Sequence, residues 1–458
     1  MLNSTPTIEV LDLTAAADPK AGRPHLPVLS IEKIVMGGYG LGRVGSQVLL
    51  VPGTIPGETL SVHIANKRRG VCQGEIRQII ESSADRIVPA CAIAGQCGGC
   101  QFQHQNYESQ VLQKRVMVQD ALLRIGKLRV PHLPAVVPSP MAFHYRTTVR
   151  FVVFNDGLGF QLGFHKQGTR IPIQSMHCLL LPQPAKVLVR KVAQCLAGQR
   201  TLPVYLESLE CRWSDTMSQG LLIFRGRCRK EDHVRALLEL FGPMEEAAGF
   251  VFEFADSPRT GGTKTHLLVD GQDFLLQRLQ DLTVRIGYRS FLQANWPVYG
   301  ALVERLSAWG DDLKGQRILE LYAGVGALGL TFAREGAQVT LVEANARALS
   351  DARHSATLNH IRGCRFRRAT AETFLSGTNI KDYEALIVDP PRTGLSSMAT
   401  QELGRLLIPR LFYVSCNPAT LARDLSRLSS YGYGIRRIQP FDMFPQTAHI
   451  ETLVELTL

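Results

Sequence analysis

Cys416 stands in Ser415-Cys-Asn-Pro418, just past the strand-like run Leu411-Phe-Tyr-Val414. A cysteine inside such a run would read as a small packing hydrophobe. One beyond its end, between polar neighbours, is placed to act as a nucleophile, its thiolate adding to an electron-poor carbon to give a covalent intermediate. Asp389-Pro-Pro-Arg392 follows a second such run, Ala385-Leu-Ile-Val388, and brings a carboxylate to the same edge. Further on, Asp442-Met-Phe-Pro445 leads to His449 and Glu451. Two residues apart, these side chains share a face of an extended segment, and a carboxylate beside an imidazole suits proton transfer. Alone, the pair would read as a chance His and Glu on a surface loop; with Cys416 and Asp389 at one sheet edge it becomes a candidate base. Cys72, Cys195, Cys211, Cys228 and Cys364 lack such a setting and read as packing residues.

A second constellation suggests a bound cofactor. Gly324-Val-Gly326-Ala-Leu-Gly329 follows the strand-like Arg317-Ile-Leu-Glu-Leu321 and opens a helix, and Glu343 closes the next strand, Gln338-Val-Thr-Leu-Val342. A glycine turn with an acid one strand later fits a dinucleotide, whose pyrophosphate sits on the helix N-terminus, or a ribose-bearing methyl donor. The rigid Pro390-Pro391 beside Asp389 favours the methyl donor, S-adenosylmethionine.

A third is the series Cys91-x5-Cys97-Gly-Gly-Cys100 with Cys178 far downstream. Zinc and a [4Fe-4S] cluster each accept four cysteines. The spacing matches neither a zinc ribbon nor the tight cysteine triplet of radical enzymes, so spacing alone leaves both open.

The elements that must position these groups fall into three regions after a tail over residues 1–26. Residues 27–82 carry short strand-like stretches, Leu29–Val35, Gln47–Val51 and Glu58–Ile64, with Gly and Pro turns and a basic tip at Lys67-Arg68-Arg69, which suggests an OB-like barrel. Residues 83–290 hold the cysteine loop, an amphipathic helix over 107–125 with Leu112, Val116 and Leu122 in step, and mixed strands and helices of an α+β domain. Residues 291–458 alternate strand and helix, an α/β pattern over a mostly parallel sheet, whose strand ends are where ligands bind. The chain has 458 residues, 45% hydrophobic and 20% charged, enough for several real cores and unlike a disordered chain. The formal net charge of +11 favours a polyanionic partner. No run of about 18 apolar residues is present, so no membrane span is expected. Nothing resembling a signal peptide opens the chain, which suggests a cytoplasmic protein in which ten cysteines do not form a disulfide framework.

With these motifs in order, the chain resembles the RNA uridine-5-methyltransferases, especially the iron–sulfur branch that modifies 23S ribosomal RNA. The resemblance runs from about Leu29 to the C-terminus. It rests on Val51-Pro-Gly53, Pro56-Gly-Glu58, Cys97-Gly-Gly-Cys-Gln-Phe-Gln-His104, Tyr145-Arg146, His177-Cys178, Phe291-Leu-Gln-Ala-Asn295 and the Asp389, Cys416 and Asp442 motifs. It implies a class I, Rossmann-like methyltransferase domain preceded by a TRAM barrel and a central domain carrying a [4Fe-4S] cluster on Cys91, Cys97, Cys100 and Cys178. It implies S-adenosylmethionine contacts from Gln293, Tyr322, Glu343 and Asp389, Cys416 as the nucleophile that adds to uridine C6, and Glu451 as the base that takes the C5 proton. The expected substrate is 23S rRNA and the expected state a monomer. Ala327 departs from the family's usual polar residue, Thr370 from a common Asp, and Glu320 from the usual Asp. The competing expectations are the same reaction at uridine 54 of tRNA, a catalytically weak RNA-binding relative, and a zinc-stapled DNA methyltransferase.

Overall fold

The computed structural model describes residues 26–68, 71–228, 230–256, 265–377 and 383–458. The expected N-terminal tail lies outside them but for residue 26, as do the side chains of the basic tip at 67–69. Five strands, β1 (Val28–Val35), β2 (Tyr39–Val44), β3 (Gln47–Pro52), β4 (Thr59–Arg68) and β5 (Val71–Glu81), close a barrel in the order β1-β2-β3-β5-β4. Period-2 alternation sends Leu29, Ile31, Leu49, Val51, Leu60 and Val62 inward. Arg86 then grips the barrel, its Nε 2.5 Å and Nη2 2.7 Å from the Glu58 carboxylate oxygens.

Helix α1 (Tyr107–Arg124) follows the cysteine loop, with the Asn106 side chain capping it by accepting from Ser109 N–H. A seven-stranded central sheet comes next, built from β6 (Thr148–Asn155), β7 (Phe160–His165), β8 (Pro172–Gln174), β9 (Tyr205–Ser214), β10 (Gln219–Cys228), β11 (Ala247–Asp256) and β12 (Thr265–Gly271). Its order is β12-β11-β10-β9-β6-β7-β8. Helices α2 (Gln183–Ala197) and α3 (Glu231–Phe241) cover one face, burying Leu188, Val192, Val234 and Leu237 against Phe151, Phe224 and Phe252.

The last part begins with a hairpin, β13 (Phe274–Leu279) and β14 (Leu282–Gly287), and α4 (Trp296–Trp309). Then strands and helices alternate: β15 (Arg317–Leu321), α5 (Ala327–Arg334), β16 (Gln338–Glu343), α6 (Ala346–Leu358), β17 (Cys364–Arg368), α7 (Ala371–Gly377), β18 (Ala385–Val388), α8 (Ser397–Leu406), β19 (Arg410–Ser415) and α9 (Pro418–Ser429). Strands β20 (Gly434–Phe441) and β21 (Glu451–Thr457) complete a sheet ordered β17-β16-β15-β18-β19-β21-β20. The first five are parallel and the last two antiparallel. Chain order reverses between β15 and β18, which opens a crevice at their C-terminal ends. Packing draws this unit wider than residues 291–458. Leu279, Leu282, Val284 and Ile286 of the hairpin share its core, and Val118, Ala121 and Leu122 of α1 pack into the layer holding Leu421 and Leu425 of α9. The reason is local: each of these elements has one apolar face, and the C-terminal sheet and α9 supply its cover. Among the described residues no helix is long and apolar enough to cross a membrane.

Candidate active site

The crevice is the mouth of a cavity of about 1060 Å³, which reaches from the cysteine loop to the ends of β15, β16, β18, β19 and β21. Every residue expected from the sequence to act or bind lines it: Cys416, Glu451, Gln293, Tyr322, Glu343, Asp389, and the four loop cysteines.

The local fold explains why the nucleophile candidate is held there. Ser415 ends β19, its hydroxyl 3.2 Å from Asn417 N–H, and Asn417 caps α9 by accepting from Ala419 N–H at 3.1 Å. Pro418 occupies the first helical turn, where its missing N–H costs nothing. Cys416 is thus pinched between a strand end and a helix cap. Asn417 Nδ2 also donates to the Arg392 carbonyl at 3.0 Å, which locks the Asp389-Pro-Pro-Arg392 turn against the cysteine turn. Strand β21 runs antiparallel beside β19 with Ser415 opposite Thr452, so Glu451 lies across from Cys416.

Acid groups crowd this edge. Glu320 is 2% and Glu451 4% exposed. Burial raises Glu320 to about 8, with further upward pressure from Asp389 and Glu343, and raises Asp389 to about 7. Burial and then the Asp389 charge hold Glu451 well above the usual carboxylate range, opposed by Arg392. The Cys416 thiol is pushed up to about 11, chiefly by burial, then by Glu451 and Asp389. Burial here favours the neutral forms of Glu320, Glu451 and the Cys416 thiol, and a cation brought among them would favour the ionised forms. Tyr299 of α4 stands among these acids, its phenol raised chiefly by burial and then by Asp389, Glu320 and Glu451. No motif in the sequence singles it out.

Around the glycine turn, Gly326 has φ +77°, and a Cβ there would lie 2.7 Å from Leu341. A Cβ on Gly329 would lie 2.2 Å from Glu320 Oε2, which accepts the Gly329 N–H at 3.0 Å. Tyr322 also takes a left-handed backbone, φ 60°. Glu343 accepts the N–H groups of Gly324 (2.9 Å) and Asn345 (2.7 Å), which aims its carboxylate along the cavity floor. Gln293 is anchored through its carbonyl, which accepts from the Thr147 hydroxyl at 2.6 Å. Ala327 lines the cavity, but Thr370 does not; its hydroxyl accepts the Thr373 N–H at 3.2 Å at the start of α7. The two departures therefore differ in kind, one shaping the cavity and the other capping a helix.

His449 is brought in as well, 2.6 Å through Nδ1 from Arg392 Nη2. Burial, then Arg392, lowers it to about 4, so it is neutral near pH 7. The four cysteines occupy one wall; burial is the main cause that raises Cys97, Cys178 and Cys100, the last to about 12, with smaller upward pushes from Cys91 on Cys97, from Cys178 and Cys97 on Cys100, and from Cys97 on Cys178. Arg146 opposes the shift in Cys97, Cys100 and Cys178. Among the described residues, no three His, Cys, Asp or Glu side chains are gathered closely enough to hold a metal ion. The donor set expected for a cluster is thus convergent but not drawn to bonding distance.

Comparison with known proteins agrees with this geometry. The model of the tRNA (uracil-5-)-methyltransferase family matches residues 106–458. An uncharacterized RNA methyltransferase of Thermotoga maritima is 31% identical, covering 94% of this chain and 99% of its own. One from Thermosynechococcus vestitus is also 31% identical, covering 94% and 97%. The crystal structure of Pyrococcus abyssi tRNA (uracil-54, C5)-methyltransferase in complex with S-adenosyl-L-homocysteine superimposes with a TM-score of 0.74 at 25% identity, over 94% of this chain and 99% of that one. From the family match across most of its length, this chain belongs to the tRNA (uracil-5-)-methyltransferase family and is an RNA methyltransferase of the uracil-C5 kind.

Proposed function

We propose that this protein transfers the methyl group of S-adenosylmethionine to C5 of a uridine in 23S ribosomal RNA, with Cys416 as nucleophile and Glu451 as base. The observation that carries this reading is the placement of Cys416, one residue past the end of β19, beside Glu451 at the start of the neighbouring β21, in a cavity that also holds the glycine turn and Glu343. Uracil C5 is too weak a nucleophile to take a methyl group unaided. The Cys416 thiolate adds to C6, forming the S–C6 bond and moving the electron pair of the C5–C6 double bond to C5 as an enolate. C5 then attacks the sulfonium methyl carbon; the methyl–sulfur bond breaks and S-adenosylhomocysteine leaves. Glu451 takes the C5 proton, the C5–H pair reforms the C5–C6 double bond, and the thiolate departs. The target base leaves its stack to enter the cavity.

In this reading Glu343 holds the ribose hydroxyls of the donor, and Gln293, Tyr322 and Asp389 its remaining parts. The Pyrococcus abyssi structure, with S-adenosyl-L-homocysteine bound, supports the choice of donor. The five-stranded barrel serves as a TRAM-like RNA-binding module. Cys91, Cys97, Cys100 and Cys178 hold a [4Fe-4S] cluster, which ties loop to domain when bound; four thiols on one wall support this. Protein purified without oxygen is expected to carry about four iron atoms and matching sulfide per chain; zinc without iron would overturn the assignment.

A second reading, tRNA as substrate, is favoured by the activity named for the Pyrococcus abyssi protein. Tritium at uridine C5 is released to water when C5 is methylated, so release can be counted from labelled ribosomal and transfer RNA separately. Release from ribosomal RNA alone is expected; release from transfer RNA alone would keep the chemistry and replace the substrate.

A further inference from the structure

We propose that Gln446 is a positioning residue for the proposed base, clasped by α1 and by the cysteine loop so that the order of that loop sets the rate of C5 proton removal. The inference rests on the reading of Glu451 as base.

Glu451 is the first residue of β21, the place where a strand frays most easily. Behind it lies the loop from Asp442 to Ile450, which also puts Phe444 and His449 on the cavity wall. A loop with no regular structure would leave Glu451 mobile. This one is gripped along its length by residues 300 or more positions away in sequence. Lys114 of α1, fully buried, reaches Asp442 Oδ1 at 2.5 Å and the Phe444 carbonyl at 2.9 Å. The Tyr145 hydroxyl donates to the Pro445 carbonyl at 2.9 Å.

Gln446 is where the grip concentrates. Gln110 Nε2 donates to Gln446 Oε1 at 3.0 Å, and Gln446 N–H donates back to Gln110 Oε1 at 2.9 Å. Gln446 Nε2 donates to the Ala142 carbonyl at 3.3 Å. The Gln446 carbonyl accepts from two successive N–H groups, Gln101 and Phe102, both at 3.0 Å. Its φ is 68°, a conformation that a glutamine keeps only when its surroundings hold it there. Gln110 is 1% exposed, so neither amide has water as an alternative partner.

Gln101 carries the connection to the cysteines. It follows Cys100, donates through Nε2 to the Gly98 carbonyl at 2.9 Å, and accepts the Ala448 N–H at 3.3 Å. One side chain therefore spans the Cys97-Gly-Gly-Cys100 turn and the residue before His449. Buried hydrogen bonds of this kind give the loop a single arrangement, and misplacing a reacting group by about 1 Å costs up to roughly 100-fold in rate. The step that feels the loss is the one Glu451 performs. Thiolate addition and methyl transfer depend on the β19–α9 turn and the glycine turn, with which neither Gln446 nor Gln101 shares a hydrogen bond.

The test uses the full chain with RNA substrate and three variants. Gln446→Gly keeps the left-handed backbone and its carbonyl while deleting the amide clasp. Gln101→Ala cuts the link to the cysteine turn from a partly exposed position, and remains informative if Gln446→Gly fails to fold. Glu451→Gln is the reference for a blocked base. Steady-state turnover, KM for donor and RNA, and the fraction of protein covalently joined to methylated RNA are read together. Expected for the first two are a fall in kcat of about tenfold, KM values within about twofold of the parent, and a raised adduct fraction, below that of Glu451→Gln. A loss of kcat without adduct, or unchanged kinetics in both variants, would overturn the proposal. A Glu451→Gln protein that forms no adduct would instead overturn the assignment of the base, and the proposal with it.

Discussion

Cys416→Ala is expected to lower turnover by at least about 10⁴-fold, because removing the nucleophile of a covalent mechanism removes the pathway and not merely one of its contacts. Donor binding should change by no more than about twofold, since the glycine turn is held by its own bonds to Glu343 and Glu320, away from Cys416. Cys416→Ser should not rescue the reaction: an alcohol is far less acidic than a thiol, and this pocket already pushes the thiol up to about 11. The check is single-turnover transfer of labelled methyl to RNA with saturating donor, alongside direct measurement of donor affinity. An alanine variant retaining a few per cent of parent activity would remove Cys416 from the mechanism. Loss of both activity and donor binding would mean that the substitution had damaged the turn.

Glu451→Gln should separate the two halves of the reaction. Methyl transfer needs no base at C5, but release does, so the variant is expected to methylate once and then stall as a protein–RNA adduct. Turnover should fall by about 10³-fold, within the range for loss of a positioned base. The adduct would be seen as a denaturation-resistant species carrying both labelled RNA and labelled methyl. The pH dependence has a definite sign. Glu451 must be ionised to accept a proton, and its folded value lies well above the ordinary 4.5. Parent turnover should therefore decline as pH falls through that raised value, with an acid limb displaced toward neutrality. The same limb should be missing from the rate of adduct formation in the glutamine variant. An acid limb left at the ordinary carboxylate position would show that Glu451 is not the titrating base.

Much of the site was readable in the sequence because strand ends advertise themselves. Apolar runs ending in a polar motif located Asp389 and Cys416 at one edge; β18 ends where its run does, and β19 ends one residue past its run, at Ser415. The limits of the expected helix over 107–125 also hold, but its outward face was misread. Leu112, in step with the apolar positions, is 53% exposed, while Gln110 and Lys114 are buried. Periodicity assumes that polar residues face water; here they face a loop 300 residues away that supplies hydrogen-bond partners, a tertiary fact no local pattern carries. That β13 and β14 share the core of the C-terminal sheet was not legible for a similar reason, since a hairpin's alternation does not say which neighbour covers it. The convergence of four cysteines from positions 91–100 and 178 on one wall was suggested by residue type, whereas distance is set by the central sheet.

The crowding of Glu320, Asp389 and Glu451 has a consequence for timing. On the proposed reading the donor arrives with a positive sulfur and leaves with a neutral one. While the cation is present it quiets the repulsion among the acids and draws the base candidate into its ionised form. Methyl transfer extinguishes that charge in a single event, leaving negative groups packed together in a dry space with nothing to balance them. The affinity of Glu451 for a proton rises at that moment, when a C5 proton first needs removing. On that reading the pocket would act as an interlock: the sulfonium charge lowers the proton affinity of the base before transfer, and its loss raises that affinity afterwards.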